Sequence, residues 1–136
     1  SCWGANGYGQ LDVPPGEYSA VSANGRATCA LRTDGGLSCW GDDEHGVTDA
    51  PEGEFAAVSI SHSFGCALDM VGEITCWGGD AIDVEDPTTL PMMQWPAGRF
   101  RTISSEGGYA CAISMEGELV CWGASLYGAS DGPALP

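Results

Sequence analysis

The apolar residues of this chain fall in short runs separated by glycine-bearing polar links, and one run returns three times. Cys29–Gly41 reads CALRTDGGLSCWG, Cys66–Gly78 reads CALDMVGEITCWG, and Cys111–Gly123 reads CAISMEGELVCWG. In each copy two cysteines stand ten positions apart, and a glycine (Gly35, Gly72, Gly117) follows the midpoint. That pattern predicts a β-hairpin. A three-residue loop built from a type I turn plus one left-handed residue suits glycine, which adopts that conformation without steric cost. Loops at 33–35, 70–72 and 115–117 set the register: Leu31 faces Leu37, Leu68 faces Ile74, Ile113 faces Leu119, and the cysteines oppose one another two residues further out. On the other face Trp40, Trp77 and Trp122 oppose Thr28, Gly65 and Ala110, so that large meets small. Such a hairpin is apolar on both faces and needs cover on both, which a stack or ring of sheets provides.

A second block also recurs: GEYSAVSA (16–23), GEFAAVSI (53–60) and GRFRTISS (98–105). In each, an aromatic (Tyr18, Phe55, Phe100) precedes a β-branched residue (Val21, Val58, Ile103) by three positions and a serine follows, without helical spacing, so these read as strands. No helix of ordinary length is expected. The CWG motifs start at Cys2, Cys39, Cys76 and Cys121, giving spacings of 37, 37 and 45 residues. The units run 1–37, 38–74 and 75–119, with a partial unit at 120–136, together one repeat domain. The longer third unit carries its excess as an insertion at 79–95.

Directly opposed residues in an antiparallel ladder have Cα atoms about 4.5–5.5 Å apart, inside the roughly 4.4–6.8 Å a disulfide needs. Three intra-hairpin disulfides are expected: Cys29–Cys39, Cys66–Cys76 and Cys111–Cys121. Each would contribute about 2.5–3 kcal/mol in the chain-entropy model. The alternatives are buried thiols or a zinc site, but zinc cysteines stand two to four apart or pair with histidine. Cys2 is left over, unpaired or intermolecular.

With Tyr8-Gly9-Gln10-Leu11, Pro14, Gly16, Tyr18, Val21, Thr28-Cys29-Ala30-Leu31, Asp34-Gly35 and Cys39-Trp40-Gly41, the unit resembles the regulator of chromosome condensation repeat, in its secreted, cysteine-bearing bacterial form. The resemblance implies an all-β fold of β-propeller-type tandem blades, usually seven with about four strands each. The second unit departs from it at His45-Gly46-Val47, and the third replaces that segment with the insertion. About 3.6 repeats do not close a seven-bladed ring, which needs about 260 residues at this period. The chain is therefore expected to be part of a longer propeller, half of a two-chain ring, or a protomer that joins its neighbours head to tail into a filament. No leader precedes Ser1, so the mature or excised form is expected.

Disulfides at this density point to an extracellular, cell-surface or periplasmic setting. Nineteen acidic residues against four arginines give a net charge of −15, which disfavours nucleic acid and favours cations or basic partners. No apolar run approaches a membrane span.

Candidate sites are few. Asp42, Asp43, Glu44 and His45 read as a solvated turn, because calcium loops alternate their oxygen ligands. Asp80, Asp83, Glu85 and Asp86 alternate better and are the calcium candidates; no other cofactor is expected. Met92, Met93 and Trp95 form a soft apolar group, either a partner-contact patch or a cover for a blade edge. The segment 87–91 is a candidate for O-linked sugar, and His45 and His62 read as ordinary loop residues. The expected function is a secreted, non-enzymatic module whose loops bind a protein or glycan at the cell surface. The alternatives are a subunit that polymerises through its blade ends, an enzyme-inhibiting propeller and, last, a hydrolase.

Overall fold

The computed structural model describes residues 1–24, 26–43, 46–61, 64–78, 95–106 and 109–123. Nine strands form three antiparallel sheets in plain sequence order. The first holds β1 (Tyr18–Asn24), β2 (Ala27–Arg32) and β3 (Leu37–Gly41). The second holds β4 (Phe55–Ile60), β5 (Phe64–Asp69) and β6 (Ile74–Gly78), and the third β7 (Phe100–Glu106), β8 (Tyr109–Ser114) and β9 (Leu119–Gly123). The cysteine hairpins β2–β3, β5–β6 and β8–β9 have the expected register, with Cys29 opposite Cys39, Leu31 opposite Leu37 and Thr28 opposite Trp40, and likewise in the other two. Each is closed by its disulfide. The turns are also as expected. Gly35 N–H donates to Arg32 O (2.9 Å), Arg32 N–H to Gly36 O (2.8 Å), and Gly35, Gly72 and Gly117 take φ of 93°, 94° and 92°.

The outer pairing holds one feature the sequence pattern only hinted at. In all three sheets the first strand carries a bulge just after its aromatic residue, between Tyr18 and Ala20, Phe55 and Ala57, and Phe100 and Thr102. Three positions separate the aromatic from the β-branched residue, an odd number that would put them on opposite faces of a regular strand. The extra bulge residue returns both to one face. That face is the tryptophan face, since Val21 pairs with Ala30, which pairs with Ser38, next to Trp40.

The sheets stack with the disulfide face of one blade against the tryptophan face of the next. Ala27, Cys29 and Leu31 of the first blade meet Phe55, Val58, Ile60, Ala67 and Trp77 of the second. Phe64, Cys66, Leu68 and Ile74 meet Phe100, Ala110, Ala112 and Trp122 of the third. The two-sided apolar pattern of the hairpins thus becomes two inter-blade cores. Hydrogen bonds repeat with the same period: Phe55 N–H donates to Gly35 O and Phe100 N–H to Gly72 O, both at 2.8 Å. Ser22 Oγ accepts from Ile60 N–H (3.0 Å), and Ser59 Oγ from Ser105 N–H (2.9 Å). The described sheets have three strands each, where the resemblance implies about four. In the segments before β1 and β4, Pro14, Pro15 and Pro51 remove ladder donors, and the chain runs through turns instead.

Candidate functional site

The loop ahead of the first blade is held by its own side chains. Asn6 Oδ1 accepts from Leu11 N–H (2.8 Å), Asn6 Nδ2 donates to Asp12 Oδ1 (3.0 Å), and Gln10 Oε1 accepts from Tyr8 N–H (2.9 Å). This folding turns the Gln10 carbonyl toward the blade, where it accepts from Trp40 Nε1–H (2.8 Å) and from Thr28 Oγ1–H (3.1 Å). In the second unit Val47 stands where Gln10 does, and its carbonyl accepts from Trp77 Nε1–H, again at 2.8 Å. The departure His45-Gly46-Val47 therefore leaves this contact intact, because the acceptor is backbone. Trp122 is as buried as its counterparts, yet its Nε1–H has no partner among the described residues.

At the same edge of the first blade the Arg26 guanidinium lies 4.4 Å from the Tyr8 ring centroid and 3.5 Å from an Asp42 carboxylate oxygen. Asp42 N–H donates to Arg26 O (3.0 Å), and Asp43 Oδ1 accepts from Thr48 N–H (3.1 Å). The acidic run after β3 is thus engaged in turn and ion-pair contacts as far as it is described; Glu44 and His45 lie outside the described residues. So do His62, the calcium candidates Asp80, Asp83, Glu85 and Asp86, the segment 87–91, and Met92 and Met93. Trp95 is described. It packs half-buried against the core between the second and third blades and lines a cavity of about 310 Å³ with Glu73, Ile74, Pro96, Ala97 and Gly98. Cys2 is a half-buried free thiol beside a cavity of about 400 Å³ on the tryptophan face of the first blade, whose lining includes Trp3, Leu11, Val21 and Ala23. Among the described residues no group of three or more His, Cys, Asp or Glu is placed to hold a metal ion, and no helix is long and apolar enough to cross a membrane.

Sequence reasoning missed the apolar residues at the hairpin turns. Met70, Val71 and Met115 are all more than half exposed, and they occupy turn positions that are Thr33 and Asp34 in the first blade. The signal was available in the aligned turns themselves.

Residues 18–47, which run from β1 through the first cysteine hairpin to the Val47 contact, match the regulator of chromosome condensation (RCC1) repeat. The first blade is thus similar to the RCC1 repeat. The second and third blades reproduce the matched unit strand for strand, including the bulge and the disulfide. Solved structures share this RCC1-type arrangement. The ectodomain of the Physcomitrella patens receptor kinase CR4 aligns at 26% identity over 78% of this chain and 30% of its own, with a TM-score of 0.62. The CRINKLY WD40 ectodomain of the Arabidopsis thaliana receptor kinase ACR4 aligns at 20% over 96% and 44%, with a TM-score of 0.69. Yeast RCC1, Prp20, solved bound to Kap60, aligns at 14% over 90% and 39%, also with 0.69. The chain spans less than half the length of each. No curated protein sequence matches it.

Proposed function

We propose that this chain is a secreted, non-enzymatic interaction module that presents loops from a disulfide-pinned blade scaffold to a protein or glycan at the cell surface. The observation that carries this reading is the cross-strand disulfide at the same position of three successive blades, two of which are buried in inter-blade cores with their first cysteine fully covered. Such bonds persist in oxidising compartments. A scaffold that is rigid before binding loses little ordering entropy when its loops engage a partner. Two of the similar structures are receptor ectodomains, and a third was solved with a protein partner, which supports the same reading. The test is capture on the immobilised, oxidised chain from a cell-surface extract. A partner is expected to be retained, and to be released once dithiothreitol unpins the blades. Turnover of a substrate at a rate set by a loop carboxylate would replace the module with a hydrolase.

A second reading, assembly through the outer blades, is favoured by the repeating contacts. Gly35 O and Gly72 O accept from the next blade, as do Ser22 Oγ and Ser59 Oγ; on the third blade the corresponding acceptors are Gly117 O and Ser104 Oγ. On the first blade the corresponding donors are the N–H groups of Tyr18 and Ala23. The apolar groups match as well: Val21 is 65% exposed where Val58 is half-buried in a core, and Leu119 is 41% exposed where Ile74 is 6%. Another blade, in the same polypeptide or a second copy, fits both faces. Light scattering separates the cases, since self-assembly requires the particle mass to rise with concentration.

A further inference from the structure

The three hairpin turns share one backbone but not one surface. Their left-handed glycines agree within 2°, yet the first turn is Thr33-Asp34-Gly35, the second Met70-Val71-Gly72 and the third Met115-Glu116-Gly117. The first blade makes the same turn with polar residues, so the fold does not require apolar ones there. Met70, Val71 and Met115 are nevertheless 66%, 52% and 51% exposed. They are neighbours across a blade boundary: a β-carbon placed on Gly72 would stand 3.1 Å from the Met115 methyl. The cavity of about 310 Å³ beside Trp95 and Ile74 adjoins them, because its wall residue Glu73 follows Gly72, and Gly72 O accepts from the N–H of Phe100, two residues on from the wall residue Gly98. An apolar surface and a hollow thus share one edge of the molecule.

The rim of this surface is charged. Asp69 is held at the turn, its Oδ1 accepting from the N–H groups of Val71 (2.9 Å) and Glu73 (3.0 Å). Glu73, Glu116 and Glu118 are exposed, and Arg99 and Arg101 lie on the third-blade side. Four carboxylates stand against two guanidiniums, on a chain of net charge −15. We propose that this edge docks a protein segment carrying a bulky apolar anchor flanked by lysine or arginine. The apolar anchor packs on Met70, Val71 and Met115, whose flexible methionines adapt to it, and Glu73, in the wall of the hollow beside Trp95, meets a cationic group. The proposal rests on the reading of the chain as an interaction module, and names the surface and the class of partner.

NMR on the intact, oxidised chain, labelled at its four methionine methyls and at its indole nitrogens, tests it. The probe is a synthetic peptide with leucine and tryptophan between lysines, and its controls replace the lysines by glutamates or the apolar residues by serines. On titration the Met70 and Met115 methyl signals and the Trp95 indole signal are expected to move, and each control peptide is expected to bind at least tenfold more weakly. The double variant M70T/V71D installs the turn residues of the first blade; it is expected to weaken binding at least tenfold while leaving the urea midpoint unchanged. Shifts confined to Met92 and Met93 overturn the proposed surface and leave the module reading in place. Equal binding of the serine peptide, or no binding of the lysine peptide at millimolar concentration, overturns the partner class. A cell-surface partner held equally by the wild type and M70T/V71D likewise removes this surface without removing the module.

Discussion

Replacing Gly72 by alanine separates the contact between blades from the strain of the turn. At Gly117 (φ 92°) a β-carbon meets only Arg101 Nη2, at 3.7 Å, among the described residues. Gly117→Ala therefore adds the left-handed backbone cost alone, about 1–2 kcal/mol. At Gly72 (φ 94°) the same β-carbon would stand 2.7 Å from Phe100 O and 3.1 Å from Phe100 N, both backbone atoms of the next blade. Moving that strand costs about 1–3 kcal/mol, as overpacking does. The hydrogen bond from Phe100 N–H to Gly72 O goes with it, for about 1 kcal/mol more. Gly72→Ala should thus lose about 3–6 kcal/mol, and about 2–4 kcal/mol more than Gly117→Ala. With a slope of about 2 kcal/mol per molar urea the two midpoints differ by about 1–2 M. At Gly35 the obstruction is Glu54, with Cβ at 3.2 Å and Cα at 3.4 Å, so Gly35→Ala falls between them. Equal losses for Gly72→Ala and Gly117→Ala would refute the blade-to-blade packing described here.

Three further outcomes follow from the same geometry. Removing the central disulfide with Cys66→Ala and Cys76→Ala should cost about 2.8 kcal/mol for its eleven-residue loop, read as a lowered urea midpoint; both cysteines pack in the core shared with the third blade, and no change would mean that the bond is not formed. Trp77→Phe deletes the hydrogen bond to Val47 O, so it should destabilise by about 1 kcal/mol in denaturant titrations, and an unchanged midpoint would remove that contact from the blade. Ser59→Ala leaves the buried Ser105 N–H without its acceptor, which should cost about 1–3 kcal/mol and accelerate hydrogen exchange at the Ser105 amide; unchanged protection there would remove the serine from the blade junction.

The hairpins were legible because their signals are local. Ten positions between cysteines, with a left-handed glycine past the midpoint, admit one register, and that register carried Trp40, Trp77 and Trp122 to the opposite face. The bulge was half-legible: the odd spacing from Tyr18 to Val21 conflicts with a one-faced strand, and only an extra residue resolves the conflict. The acceptors of the tryptophan N–H groups left no trace, because Gln10 and Val47 act through carbonyls that every residue has. The serines at 22 and 59 were visible as a repeated letter, but their role depends on the angle between blades, which no single unit encodes. Met70, Val71 and Met115 stand out only when the three turns are aligned, where polarity changes while the turn does not. Trp95 proved to pack against the inter-blade core, and the remainder of the insertion lies outside the described residues.

The scaffold and the function proposed for it both require three blades, each locked by its own disulfide in an oxidising setting. Peptide mapping of protein isolated from its native source, alkylated before and after reduction, tests this. None of the six blade cysteines is expected to be modified before reduction and all six after it, with linked peptides joining Cys29 to Cys39, Cys66 to Cys76 and Cys111 to Cys121. Reactive thiols at these six positions without reduction, or links that cross from one blade to another, would contradict both the pinned scaffold and the function proposed for it.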